Sequence, residues 1–338
     1  MKKQTNNILK FIFFLGLGVL LVWLSVKDIS KEQQEKIKIA LLQADYSFVA
    51  LSILVGILSH YFRAIRWKIL LVPLNHRPKT SNTFFAVMVG YLANLAINRL
   101  GEVTRCGMLN QYEKVPFTEG FGSVVAERAL DLICLILIFF ITLFIEFDKI
   151  YGIANDQIIT PFFLKLKSLF EHKILLAIMV VMLLIIAAIL FYFRKKLQEI
   201  FSAKIKNFIV GLWQGLISIK NVKQPISFIA YTILIWLMYI LQAYVCFFAF
   251  PETAQLPFMA ATVIMVFGSL GIIAVPGGTG AYQAIVMPIL ITVYLVPDTS
   301  AFAFAWTVWA AQIVLILTLG LISLILLPLL NKQEKILE

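Results

Sequence analysis

Three stretches of this sequence set ionisable side chains into otherwise apolar surroundings. The first is 90–105, where an apolar run closes on Arg99, Glu102 and Arg105. Asn98, Glu102 and Arg105 fall at i, i+4 and i+7, so they share a face if a helix continues through Gly101. The second carries Glu127, Arg128 and Asp131, with the two acids one helical turn apart. The third carries Arg63, flanked by His60 and Trp67 at one-turn spacings. Charged groups at membrane depth cost about 3 kcal/mol each on insertion scales, and they pair or line a wet cavity. Arginines gathered there can neutralise a phosphate, while carboxylates can hold the arginines in place or meet a cationic headgroup. Plainer readings stand beside this one. Residues 98–105 could cap a helix at the interface, Arg128 could pair locally with Asp131, and Arg63 could snorkel as Arg66 and Lys68 are expected to do.

A fourth stretch, Pro276, Gly277, Gly278, Thr279 and Gly280 followed by Gln283, has no charge but unusual backbone freedom. Pro276 ends a helix, and three glycines within four residues allow close backbone approach and free N–H groups. A glycine-rich break opening onto a helix N-terminus is a ready anion site, with a plain hinge as the alternative. It is neither a Walker loop nor a GxGxxG turn after a strand, so nucleotide binding is not expected.

The elements that must position these groups are membrane helices. Hydrophobic residues make up 61% of the 338 and charged residues 14%, with a mean hydropathy of +0.92. Several runs reach the ~20 apolar residues that cross a bilayer. The expected fold class is all-α, a polytopic helical membrane protein with about 6–8 crossings and two broken or re-entrant helical elements. No charged segment is long enough for a soluble domain, so 1–338 reads as a single integral membrane domain. The net charge of +11 would point a soluble chain toward nucleic acid; here it fits the Lys/Arg excess of cytoplasmic loops, and no nucleic-acid partner is expected. Cys106, Cys134 and Cys246 form no CxxC, and His60, His76 and His172 lack HxxxH or HExxH spacing, so no metal site and no cofactor are expected.

Taken in order, Lys2, Lys3 and Lys10 precede an apolar run at 11–26 without a good cleavage site, giving an uncleaved first helix with its N-terminus inside. Residues 27–45 are balanced in charge and suit an outer loop with a short amphipathic helix around Ile37, Ala40 and Leu41. A second helix covers 46–71 and ends in the cytoplasm. Residues 194–224 carry seven Lys or Arg against Glu199 alone, which marks a cytoplasmic basic loop. Helices at 118–146 and 173–193 lie between. If 83–98 also crossed fully, the basic loop would end outside; a re-entrant 83–98 removes the contradiction. Residues 103–115 would then lie near the cytoplasmic surface. After a helix at 226–250, the runs 257–274 and 280–296 form an in-and-out hairpin or a re-entrant pair. A last helix at 301–327 returns to a cytoplasmic C-terminus holding Lys332 and Lys335. Matched interruptions in two halves point to a transporter-type midplane site, although no residue-level repeat is visible.

The motifs Arg99-Leu-Gly-Glu102-Val-Thr-Arg105, Glu127-Arg128-Ala-Leu-Asp131 and Pro276-Gly-Gly-Thr-Gly280 resemble those of the flippase-like family. That family is also called the lysylphosphatidylglycerol synthase transmembrane region, or uncharacterised protein family 0104. The resemblance covers about 10–328. It implies an inner-membrane protein related to the lipid-translocating half of the multiple peptide resistance factor, which moves aminoacylated phosphatidylglycerol between leaflets. Two positions depart from the pattern: Ile97 replaces a proline before the Arg-x-Gly-Glu motif, and Gln283 replaces an acid after the PGGxG turn. The lost carboxylate counts against proton coupling or recognition of a cationic aminoacyl group there. The soluble aminoacyl-transferase domain of the full synthase is absent, so a synthase is not expected.

The expected function is therefore a lipid translocase of a bacterial inner membrane. It would act on an anionic or aminoacylated phospholipid or a polyprenyl-phosphate-linked lipid. The candidate substrate-binding residues are Arg63, Asn98, Arg99, Glu102, Arg105, Glu127, Arg128, Asp131, Pro276, Gly277, Gly278, Gly280 and Gln283. Membrane lipids are the expected partners, with a homo-oligomer or a separate lipid-modifying enzyme left open. The alternatives are a membrane-embedded transferase using Glu127 or Asp131 as a base, and a small-solute secondary transporter.

Overall fold

The computed structural model describes residues 30–97, 99–147 and 222–331, together with positions 23, 27, 149 and 151. The expected helices at 11–26 and 173–193, nearly all of the basic loop 194–224, Asn98, Lys332 and Lys335 lie outside the described residues. The described chain is helical, with no strand.

A short surface helix, α1 (Lys31–Gln43), opens with a reciprocal cap in which the Gln33 backbone N–H donates to Ser30 Oγ and Gln33 Oε1 accepts from Ser30 N–H. It buries no residue fully, and Ala40 and Leu41 lean on the core, as an interfacial helix should. Among the described residues, four helices are long and apolar enough to cross a bilayer: α2 (Tyr46–Leu71), α5 (Phe117–Ile145), α6 (Pro225–Phe247) and α9 (Asp298–Leu330). Between them lie two pairs of shorter helices, α3 (Thr80–Ala96) with α4 (Leu100–Glu113), and α7 (Phe258–Ala274) with α8 (Ala281–Thr292). The longest of these, at 17 residues, reaches about 25 Å at 1.5 Å per residue, short of a ~30 Å hydrocarbon core.

Each short pair is a helical hairpin. In the first, Glu113 Oε1 at the end of α4 accepts from the Lys79 backbone (3.0 Å) and from Asn82 Nδ2 (2.6 Å) at the start of α3. Both ends therefore lie on the same side, which bears out the re-entrant reading of this region. The return arm is α4 packed along α3, however, and not a segment lying at the surface as expected for 103–115. Gly90 and Gly101 allow this approach: a Cβ on Gly101 would strike the Gly90 carbonyl and the Asn94 amide, whose Oδ1 accepts from Gly101 N–H at 2.7 Å.

The second hairpin enters from the opposite side. Asp45 N–H at the start of α2 donates to Ala249 O, just past the end of α6, at 2.9 Å, while Ile69 and Leu70 near the end of α2 pack with Val222 and Phe228 near the start of α6. Helices α2 and α6 are thus antiparallel. The order long helix, hairpin, long helix occurs once as α2–α5 and again, inverted, as α6–α9.

The repeat extends to individual backbone angles. Helices α3 and α7 are both 17 residues long and end in extended residues, Ile97 (φ −140°, ψ 122°) and Val275 (φ −129°, ψ 140°). Two positions on, Arg99 (φ 67°, ψ 5°) and Gly277 (φ 66°, ψ 5°) both turn left-handed. Further left-handed residues, Lys114 (φ 57°) and Leu295 (φ 53°), precede Pro116 and Pro297, which cap α5 and α9. The spacing is 178 positions at the corners (99 to 277) and 181 at the caps (116 to 297), because the glycine-rich corner is longer. The two tips meet, since a Cβ on Gly277 would lie 3.3 Å from Leu95 Cδ2.

Candidate functional site

Helix α2 presents Arg63 and Arg66 one turn apart, and α5 presents Glu127 and Asp131 one turn apart, so two arginines meet two carboxylates across the helix interface. Arg63 Nη1 donates to Glu127 Oε1 and to Asp131 Oδ2, the latter at 2.7 Å. Arg66 Nη2 donates to Asp131 Oδ1 at 2.6 Å and to Glu127 Oε1 at 3.3 Å. Arg105 reaches in from α4, with Nη2 3.2 Å from Glu127 Oε2 and its guanidinium 4.7 Å from the centre of the Trp67 ring. Trp67 is fixed in turn by its indole N–H, which donates to Ser123 Oγ at 2.9 Å. From α6, Tyr239 OH accepts from Arg63 Nη2 (3.1 Å) and Thr232 Oγ1 from Arg66 Nη1 (3.5 Å).

The cluster is deeply buried. The side chains of Arg63, Arg66, Arg105, Glu127 and Asp131 are at most 11% exposed. Arg63 lies eight residues before the end of α2, or about 12 Å along the axis. Three guanidinium groups face two carboxylates, so the buried cluster carries one uncompensated positive charge. Beside it, Arg128 pairs with Glu102 at 2.9 Å in a more open position, with side chains 39% and 17% exposed. This cross-link holds α4 to α5, as Arg105 to Glu127 does from within. His60 lies one turn before Arg63, with both ring nitrogens buried and unpartnered, and its ring is 4.6 Å from that of Tyr91.

The expected site residues are only partly gathered here. Arg63, Arg105, Glu127 and Asp131 form the cluster, with Glu102 and Arg128 adjoining. The local Arg128–Asp131 pair does not form. Nor does the helix of the apolar run continue into Glu102 and Arg105, because α3 ends at Ala96, Arg99 is left-handed and α4 begins at Leu100. Arg99 is the exposed corner residue and makes no ion pair with the cluster. Pro276, Gly277, Gly278, Gly280 and Gln283 belong to the other hairpin; there Trp309 Nε1 donates to Gly277 O at 2.8 Å. Arg66 was expected to snorkel but is fully buried in the cluster. Its spacing of three from Arg63, opposite acids spaced by four, was the available signal. Tyr239 and Thr232 carried none.

Fold and site together define a multi-pass helical membrane protein built as an inverted repeat around a buried arginine–carboxylate cluster. The chain belongs to the family described as the lysylphosphatidylglycerol synthase TM region, whose match covers residues 7–333. It is 26% identical over 147 residues to a UPF0104 membrane protein of Methanocaldococcus jannaschii, covering 43% of this chain and 40% of that protein. It is 29% identical over 91 residues to the glycosyltransferase AglD of Haloferax volcanii, covering 27% of this chain and 15% of that protein. The matches thus span less than half the length of these relatives. No solved structure matches the chain.

Proposed function

We propose that the protein is a lipid translocase that moves an anionic phospholipid, an aminoacylated phospholipid or a polyprenyl-phosphate-linked lipid between the leaflets of a bacterial inner membrane, with both termini cytoplasmic. The observation that carries this reading is the uncompensated positive charge of the buried Arg63, Arg66 and Arg105 cluster against Glu127 and Asp131. A buried cation excess is costly unless an anion joins it, and a phosphate oxygen arriving from one leaflet supplies that charge with good hydrogen-bond geometry. The inverted repeat supports the same reading, because opposed hairpins meeting tip to tip give a frame in which one side and then the other can open. The membrane supplies the substrate, and a second copy of the chain or a lipid-modifying enzyme would be the protein partner.

A transferase reading draws on the relative named as a glycosyltransferase. Against it, Glu127 accepts from three arginines and Asp131 from two, which leaves neither carboxylate free to take a proton. The test is leaflet exchange of fluorescent lipids in proteoliposomes. Wild type should move at least one anionic lipid without nucleotide, and Arg105→Ala should slow that movement about tenfold or more while still inserting. Normal exchange by Arg105→Ala would overturn the proposal.

A further inference from the structure

The two halves of the repeat share a frame but differ in chemistry. Between Pro225 and Leu330 the only charged residues are Glu252, in the turn between α6 and α7, and Asp298, at the start of α9, both exposed. Counted from the caps of matching helices, Arg63, Asp131 and Glu102 of the first half are answered by amides in the second, whereas Arg66, Glu127 and Arg105 are answered by Val245, Val308 and Val286. Arg63 stands 18 residues after Asp45, and Gln242 stands 18 after Gln224. Asp131 stands 15 after Pro116, and Gln312 stands 15 after Pro297. Where Arg63 pairs with Asp131 in the first half, Gln242 Nε2 donates to Gln312 Oε1 at 2.8 Å in the second. Glu102 and Gln283 are each the third residue after the corner caps Arg99 and Gly280.

That correspondence isolates Gln283. Glu102 is paired with Arg128, 12 residues after Pro116, but the residue 12 after Pro297 is Trp309, whose indole N–H is committed to Gly277 O. Gln283 is fully buried, and neither its Oε1 nor its Nε2 has a partner. An amide has both donors and an acceptor. A phosphate would leave its donors served and its carbonyl bare, an ammonium the reverse; a hydroxyl serves both. It also sits one turn past three left-handed glycines, where backbone can approach closely.

We infer that the second hairpin carries a further ligand site, an uncharged one centred on Gln283, which takes a hydroxyl group of a polyol or sugar. Resting on the translocase reading above, this narrows the substrate to a phosphate lipid with a hydroxylated neutral headgroup. The arginine half holds the phosphate and the glutamine half the hydroxyl.

The test is the thermal stability of the purified full chain in detergent with phosphatidylglycerol or with phosphatidylethanol, which keeps the singly charged phosphodiester but lacks the hydroxylated group. Wild type should bind phosphatidylglycerol about tenfold more tightly, as one or two neutral hydrogen bonds predict. Gln283→Leu should bind the two lipids equally while melting at or above wild type without lipid, since it removes an unpartnered buried amide. Gln283→Met is the second variant should leucine not fit. Equal stabilisation of wild type by both lipids, or persistence of the preference in a folded Gln283 variant, would overturn the inference. Free glycerol 3-phosphate reproducing the preference would keep the site and make its ligand a water-soluble polyol. Leaflet exchange separates the two proposals: no movement with the preference intact removes the translocase reading alone, and movement without the preference removes only this one.

Discussion

Replacing Glu127 by Gln tests the cluster most severely, because this carboxylate is shared by three arginines. Its Oε1 accepts from Arg63 and Arg66 and its Oε2 from Arg105, and its side chain is fully buried. With Gln, one carboxylate remains for three guanidinium groups, and the new NH2 donor faces other donors. Removing one partner of a buried pair costs about 3–5 kcal/mol, since the charge left behind is uncompensated. A loss of that size lowers the melting temperature by on the order of 10 °C for a chain of this length. Adding Arg105→Met returns the excess to one positive charge, so the double variant should recover much of the loss, with a coupling of about 1–3 kcal/mol in the cycle. Glu32→Gln, which breaks an exposed pair with Lys36 on α1, should leave the melt unchanged. The assay is thermal unfolding of the detergent-purified protein for all four variants. Glu127→Gln melting with wild type, or a double variant no more stable than the single, would refute the shared-carboxylate reasoning.

Other perturbations separate packing from strain. Gly101→Ala should splay the first hairpin and destabilise the protein, whereas Gly107→Ala, with no atom within 4 Å of its Cβ, should be neutral or gain up to about 1 kcal/mol of helix propensity; paired melts check both. Gly277→Ala should cost about 1–2 kcal/mol, because φ is +66° and Leu95 crowds the new methyl, and the same melts read it. Arg99→Gly should stabilise by about 1 kcal/mol through relief of its left-handed conformation, and an unfolding curve shifted the other way would give Arg99 a role its exposed position does not show.

How much of this was legible depends on which forces leave a trace in sequence. The first hairpin was, because the charge of 194–224 fixes a side and leaves an even number of crossings before it. Its return arm was not: α4 is polar in composition and held by the Gly90–Gly101 approach and by ion pairs, neither of which makes an apolar period. Arg66 was misplaced because snorkelling and burial present the same residue near a helix end, and only the partner helix decides between them. The repeat was hidden for two reasons. Its charged positions hold uncharged residues in the second half, as Arg63 and Asp131 against Gln242 and Gln312 and Glu127 against Val308 show, and its longer second corner shifts the spacing partway through. What the two halves kept is backbone conformation, which residue identity only partly encodes.

The most direct test of the central claim is charge selectivity of leaflet exchange. The ratio of initial rates for an anionic and a zwitterionic fluorescent lipid is measured in proteoliposomes of wild type and of Arg105→Met, whose cluster has equal numbers of arginines and carboxylates. The uncompensated charge predicts a wild-type ratio of about ten or more that falls toward one in the variant, a loss equivalent to about 1.4 kcal/mol. The same ratio in both proteins would contradict a headgroup site built on the buried arginine excess.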